Sequence, residues 1–217
     1  MRVISGKYRG AKLFSPADDR VRPTTDRVKE SVFNILSNHV KFCNAKALDL
    51  FSGSGALGIE MLSRGAKYVA FVDHDRDSVR LTESNIAKIK APKDSYGIFS
   101  VEYDFALKKL AGAGMDVVFV DPPYALKIEN RVLDLIDEYD VLAPGGMVVV
   151  EHDCKNIVQN DKYDCDCRKM GNTSVSFMTK KEITITILSL HLLRACAARI
   201  RMQRSFILQR CCMQEKM

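Results

Sequence analysis

The sequence predicts an α/β fold, a mostly parallel sheet with helices on both faces and an antiparallel hairpin at its end. Two observations and one topological rule predict it. From residue 46 onward, short β-branched runs alternate with segments of helical period. The first of these runs leads straight into a glycine-rich loop. Repeated strand–helix units also impose right-handed crossovers, which bring the strands together in parallel and cover the sheet on both sides.

The elements follow in order. Val3-Ile4 and Lys12-Leu13-Phe14 flank the basic turn Gly6-Lys7-Tyr8-Arg9-Gly10 and read as a small hairpin. Arg22-Pro23-Thr24-Thr25-Asp26 supplies Pro and cap-type residues ahead of Val28, Val32, Ile35, Leu36 and His39. That spacing marks an amphipathic helix with a Thr/Asp-capped start and His39 as a boundary residue on its apolar face. Residues 47–51 form a buried strand, then come the glycine loop and a helix through about Arg64. A second strand covers 68–72 and ends at Asp73; a helix follows over about 78–89, then a weaker strand at 98–101. Residues 115–120 are a strongly β-branched strand running into Asp121. A helix near 128–139 and a Pro144-Gly145-Gly146 turn lead to the strand 147–150, and segments near 163–168 and 174–178 form the closing hairpin.

The chain has 217 residues, enough for one domain with a sizeable core. Met1-Arg2-Val3-Ile4-Ser5-Gly6-Lys7 does not read as a signal peptide, and the longest apolar runs are strand-sized, so no membrane partner is expected. Seven cysteines with no regular framework suggest reduced thiols in a cytoplasm. Cys165-x-Cys167 and Cys211-Cys212 have neither a matching second pair nor a His at ligand spacing, so structural thiols and no metal are expected. Net charge is +6, unevenly spread: residues 1–31 carry +4, residues 181–217 carry +5, and the body between them −3. A basic arm on an acidic body fits an enzyme that holds a polyanion at one edge; a solvated basic surface fits the charge equally well.

Residues 49–60 read Asp-Leu-Phe-Ser-Gly-Ser-Gly-Ala-Leu-Gly-Ile-Glu. Gly53, Gly55 and Gly58 match G-x-G-x-x-G between a strand and a helix, with Asp73 twenty residues after Gly53. Asp73 can accept from ribose hydroxyls. These features alone also describe a dinucleotide site. Charge separates the two: Asp49, at the strand's carboxyl end, disfavours a pyrophosphate and suits S-adenosylmethionine, which carries a sulfonium and an ammonium instead. Asp104 could accept from an adenine amino group while Phe105 packs on the ring; by itself Asp104 reads as a helix N-cap.

Asp121-Pro122-Pro123-Tyr124 follows the most buried strand, so it lies at the carboxyl edge of the sheet beside the glycine loop. The prolines fix the backbone and remove two donors, leaving carbonyls to accept. The exocyclic amino group of a base is a poor nucleophile because its lone pair is delocalised. Hydrogen bonds to Asp121 and a proline carbonyl favour a pyramidal nitrogen aimed at a methyl group. Tyr124 offers a face for a splayed-out base, worth about 1–3 kcal/mol. The tetrapeptide does not distinguish the amino group of guanine from that of adenine or cytosine.

Glycine loop, Asp73, Asp104 and Asp121–Tyr124, in this order, resemble the class I amino-methyltransferases. The chain is more narrowly similar to the RsmD family of bacterial 16S rRNA guanine-N2 methyltransferases. That match rests on residues 2–10, on 22–30, on Val149-Val150-Glu151-His152 and on Gly171-Asn172-Thr173. The resemblance implies a seven-stranded class I methyltransferase sheet of Rossmann-like form. It implies S-adenosylmethionine contacts by Asp49, Gly53, Gly55, Asp73, Asp104 and Phe105, and transfer at Asp121, Pro122, Pro123 and Tyr124. The substrate it implies is 16S rRNA or the assembled small subunit, with the enzyme a monomer and Arg2, Lys7, Arg9 and Arg22 on rRNA phosphates. The chain then divides into a basic hairpin arm at 1–22, the methyltransferase domain at 23–180 and an atypical tail at 181–217. The tail, apolar and then rich in Arg and Cys, departs from the family pattern and reads as an RNA-binding extension, a disordered tail or a non-native chain end. His152 would line the substrate pocket or pack.

Three other functions compete. DNA adenine-N6 or cytosine-N4 methyltransferases use the same tetrapeptide but need a sizeable target-recognition domain, and no such insertion is visible. A nicotinamide-dependent oxidoreductase is opposed by the acidic loop and by Asp121–Tyr124. A catalytically silent RNA-binding module is opposed by the intact site residues.

Overall fold

A computed structural model describes residues 1–16, 26–171 and 173–181. Helix α1 (Asp26–Leu36) precedes β1 (Lys46–Asp49), α2 (Ala56–Ser63), β2 (Tyr68–Asp73), α3 (Arg76–Ile89) and β3 (Tyr96–Ser100). Then come α4 (Tyr103–Lys109), β4 (Met115–Val120), α5 (Glu129–Glu138), β5 (Leu142–Asp153), β6 (Tyr163–Met170) and β7 (Thr173–Lys180). The seven strands form one sheet in the order β3-β2-β1-β4-β5-β7-β6. β1 to β5 are parallel, and β7 lies antiparallel between β5 and β6. This is the expected class I methyltransferase sheet, with its terminal hairpin. Arg22, residues 182–217 and Cys211-Cys212 lie outside the described residues.

Alternation along the strands explains why both faces are covered. Val117 and Phe119 of β4 point into a core shared with Val32, Phe33 and Leu36 of α1, Ile59 and Met61 of α2, and Ile86 of α3. Val118 and Val120 point into the opposite core, with Leu107 of α4 and Val132, Leu133 and Ile136 of α5. Gly58 lets α2 lie close to β2: a Cβ there would fall 2.3 Å from Phe71 Cε1 and 2.9 Å from Val69 Cγ1. Phe71 is fully buried and cannot retreat. Gly58→Ala is therefore expected to lower unfolding free energy by about 1–3 kcal/mol, read from the denaturant midpoint; an unchanged midpoint would contradict this packing.

Three local expectations are corrected. His39 lies beyond α1, exposed: the helix ends at Leu36, and the chain tightens through Asn38 N–H to Ile35 O and His39 N–H to Leu36 O, each 3.0 Å. Pro144-Gly145-Gly146 does not precede the fifth strand but lies inside it. β5 pairs Leu142 with Met115 and Met147 with Val117, so the intervening residues bulge while the pairing resumes. The residue capping α4 is Glu102, not Asp104, which sits in the first turn and accepts from Phe105 N–H.

Candidate active site

The strand order reverses between β1 and β4, and a ligand crevice opens outside the carboxyl ends of strands at such a point. The glycine loop leaves β1 there and Asp121–Tyr124 leaves β4 there. Adjacent strands thus bring together segments about seventy residues apart in sequence.

Carboxylates brace the glycine loop from behind. Asp49 Oδ2 accepts from Gly58 N–H and Asp73 Oδ2 from Gly53 N–H, each at 2.9 Å. Asp73 Oδ1 accepts from Asp75 N–H. Gly55 caps α2 at φ +74, a left-handed conformation that a side chain would strain. From α3, the buried Thr82 hydroxyl donates to Gly53 O at 3.0 Å and the buried Asn85 amide donates to Ser54 O at 2.9 Å. The Gly53 and Gly58 N–H groups are thus committed to carboxylates and the Gly55 N–H to the Ser52 carbonyl, and two carboxylates at the loop suit a cationic ligand better than a pyrophosphate.

Burial pushes the Asp49 carboxyl up to about 7 from its usual 3.8; the Gly58 N–H opposes this and the charge of Asp73 adds to it. A raised carboxyl binds more protons folded than unfolded, so its contribution to stability falls as pH rises from about 4 to 7. Asp49→Asn is therefore expected to gain stability relative to wild type between pH 5 and pH 8 in denaturant unfolding. An equal difference at both pH values would refute the assignment.

Asp121 leaves β4 partly buried, Pro122 is buried, and Pro123 is exposed. The Pro123 carbonyl accepts from Leu126 N–H at 2.9 Å, which closes the turn. Tyr124 is 39% exposed, so its ring is available for stacking. Its hydroxyl lies 2.8 Å from Thr173 Oγ1 and donates to Glu151 Oε1 at 3.3 Å. Burial, more than the nearby Glu151 and Asp121 charges, pushes the phenol up to about 12, so it remains a donor at neutral pH. Phe105 is half exposed, with Lys109 Nζ 5.5 Å from its ring centroid.

The N-terminal arm is a hairpin closed by Val3 N–H to Ala11 O and Gly10 N–H to Val3 O. It is fastened to α2 by the buried Glu60, whose carboxylate accepts from Ile4 N–H at 2.8 Å and Ser5 N–H at 3.0 Å. Gly6 (φ +83) passes so close to α2 that a Cβ would strike Ser63 O. At its far end Phe14 exchanges hydrogen bonds with Asn85, the residue that also holds the glycine loop. Arg2, Lys7 and Arg9 are exposed, with Arg2 Nε 3.4 Å from Asp26 Oδ2.

A family model described as "Conserved hypothetical protein 95" matches residues 1–179. "Ribosomal RNA small subunit methyltransferase D" of Escherichia coli (strain K12) is 37% identical over 158 residues, covering 72% of this chain and 76% of that protein. The chain belongs to the RsmD family. "Putative rRNA methyltransferase YlbH" of Bacillus subtilis (strain 168) is 41% identical to this RsmD-family chain over 155 residues, 70% of this chain and 83% of that protein. The solved structure of "Putative methyltransferase yhhF from Escherichia coli" superposes with a TM-score of 0.70 at 31% identity, covering 83% of this chain and 98% of that one.

In this RsmD-family protein, Asp49, Gly53, Gly55 and Asp73 come together at the end of β1, and Asp121 to Tyr124 lie beside them. His152 packs: it is 2% exposed, with Nε2 2.9 Å from Ser176 Oγ and Nδ1 3.0 Å from Asp153 O. Cys165 and Cys167 are exposed free thiols, and no metal-holding cluster occurs among the described residues. No helix among them is long and apolar enough to cross a membrane. Sequence reasoning missed Thr82, Asn85 and Glu60. Their signal was present, as polar residues on otherwise apolar helix faces beside Ile86, Ile89 and Ile59.

Proposed function

We propose that the protein transfers a methyl group from S-adenosylmethionine to the exocyclic N2 amino group of a guanine in 16S rRNA of the small ribosomal subunit. The observation that carries this reading is Asp121–Tyr124 at the switch point of the sheet, beside a loop whose Gly53 and Gly58 N–H groups are held by carboxylates. S-adenosylmethionine supplies an electrophilic methyl group. Asp49 and Asp73 shape the loop for a cationic ligand, and Phe105 presents an aromatic face at the same edge.

Tyr124 stacks the splayed-out base, its ring oriented by the bonds of its hydroxyl to Thr173 and Glu151. Asp121 accepts one amino N–H. The Pro122 carbonyl is the proline acceptor for the other, since the Pro123 carbonyl closes the turn with Leu126. The nitrogen lone pair, thereby freed from the ring, would attack the methyl carbon in line as the methyl–sulfur bond breaks and its electron pair leaves with the neutral thioether S-adenosylhomocysteine. The amino group loses a proton after the new N–C bond forms, and Asp121 is placed to take it. The exposed cations Arg2, Lys7 and Arg9 hold rRNA phosphates, with Arg22 a further candidate.

The test is incubation with labelled S-adenosylmethionine and unmodified small subunits, free 16S rRNA or DNA, followed by digestion to nucleosides. N2-methylguanosine from rRNA is expected. Methyladenine or methylcytosine from DNA, with no methylguanosine, would overturn the reading in favour of a DNA methyltransferase.

A further inference from the structure

Glu151, in the Val149-Val150-Glu151-His152 segment, stands where a second acceptor for the base would be needed. β4 and β5 are parallel neighbours in register through Val120 and Val150, so Asp121 and Glu151 are the next residues along the two strands. Phe119 and Val149 belong to the same core cluster, and the two-residue period carries Glu151 onto that face at the carboxyl edge. Both carboxylates act on one phenol: their charges add to the upward push that burial gives Tyr124. Glu151 Oε1 also lies 3.3 Å from both the Tyr124 hydroxyl and Thr173 Oγ1. The Glu151 carboxylate therefore lies beside the stacking ring within reach of two hydroxyls, whose two protons are shared among Glu151, each other and the His152 carbonyl, and a carboxylate can accept about four hydrogen bonds.

The three bases that carry an exocyclic amino group differ in the neighbouring ring atom. In guanine the amino group sits beside N1–H, a donor. In adenine and cytosine it sits beside a bare ring nitrogen, an acceptor. Two adjacent carboxylates match the two donors of guanine and oppose the donor–acceptor pair of the other bases. We propose that Glu151 accepts the N1–H of the target guanine while Asp121 holds its amino group, making Glu151 the residue that selects guanine. This rests on the guanine-N2 reading above and identifies how that site would tell the bases apart.

The test compares wild type, Glu151→Gln, Tyr124→Phe and the double variant in single-turnover methylation of unmodified small subunits, with nucleoside analysis. Equilibrium dialysis of S-adenosylmethionine runs alongside. Glu151→Gln is expected to slow N2-methylguanosine formation by about 10- to 100-fold with cofactor affinity retained, the effect of a lost charge-assisted hydrogen bond. The same substitution is expected to slow the Tyr124→Phe protein by a further factor of about ten or more, because Glu151 acts on the base as well as on the tyrosine. Three results would overturn the proposal: an unchanged rate in Glu151→Gln, no further loss in the Tyr124→Phe background, or lost cofactor binding. If wild type itself forms no N2-methylguanosine, the guanine reading fails and this one with it. If wild type forms it and Glu151→Gln matches wild type, only the assignment of Glu151 fails.

Discussion

Asp121→Ala is expected to abolish methyl transfer while leaving the fold and the binding of S-adenosylmethionine largely intact. Asp121 lies one residue past β4, partly buried, and belongs to neither apolar cluster. Removing its carboxylate takes away the acceptor for the amino group and the base for its proton. A preorganised group of this kind is worth on the order of 10²–10³ in rate, and loss of the near-attack geometry adds to that. The measurement is single-turnover methylation of unmodified small subunits, paired with equilibrium dialysis of labelled S-adenosylmethionine. A rate within tenfold of wild type would remove Asp121 from the chemistry. Lost cofactor binding would place it instead in the cofactor site.

Glu60→Ala is expected to produce the largest loss of stability. Its fully buried carboxylate accepts from Ile4 N–H, Ser5 N–H and Arg64 Nε, and lies 3.7 Å from the equally buried Lys29 Nζ. Burial pulls the Lys29 ammonium down while Glu60 pulls the other way. Alanine would leave that cation with the Arg2 carbonyl and no counter-charge, and would leave two backbone donors unpaired, at a cost of about 3–5 kcal/mol. Thermal unfolding of a chain this size should then shift down by roughly 6–20 °C. Glu60→Gln, which keeps an acceptor without the charge, should fall between the two. A loss below about 1 kcal/mol in Glu60→Ala would mean that the arm is not fastened through this residue.

Legibility followed how much each element depends on its neighbours. β4 is readable because Met115 to Val120 is β-branched and apolar, as a strand buried on both faces must be. β3 is weaker in sequence because it is an edge strand, mostly half exposed, with Phe99 open to solvent. Pro144-Gly145-Gly146 carries turn chemistry whether it ends a strand or bulges within one; the partner β4, which pairs on both sides of it, makes it a bulge. At α4, Asp104 carries the cap chemistry, and only backbone geometry shows that the cap position falls two residues earlier, at Glu102, whose side chain makes no cap hydrogen bond.

By itself, the sequence determined the alternating strands and helices, the glycine loop with its following acidic residue, and the tetrapeptide after the most apolar strand. Each is set by interactions within a few residues: a period, a turn conformation, a locked proline. Only the tertiary structure decided which distant groups meet. Asn85 joins the arm at Phe14, 71 residues away, to the glycine loop. Glu60 gathers backbone donors 55 and 56 residues away, and Tyr124 meets Glu151 and Thr173 across separations of 27 and 49. A polar residue on an apolar helix face is visible locally, but its partner is not, because a buried polar group is satisfied by whatever the sheet order brings beside it, and that order is a property of the whole chain.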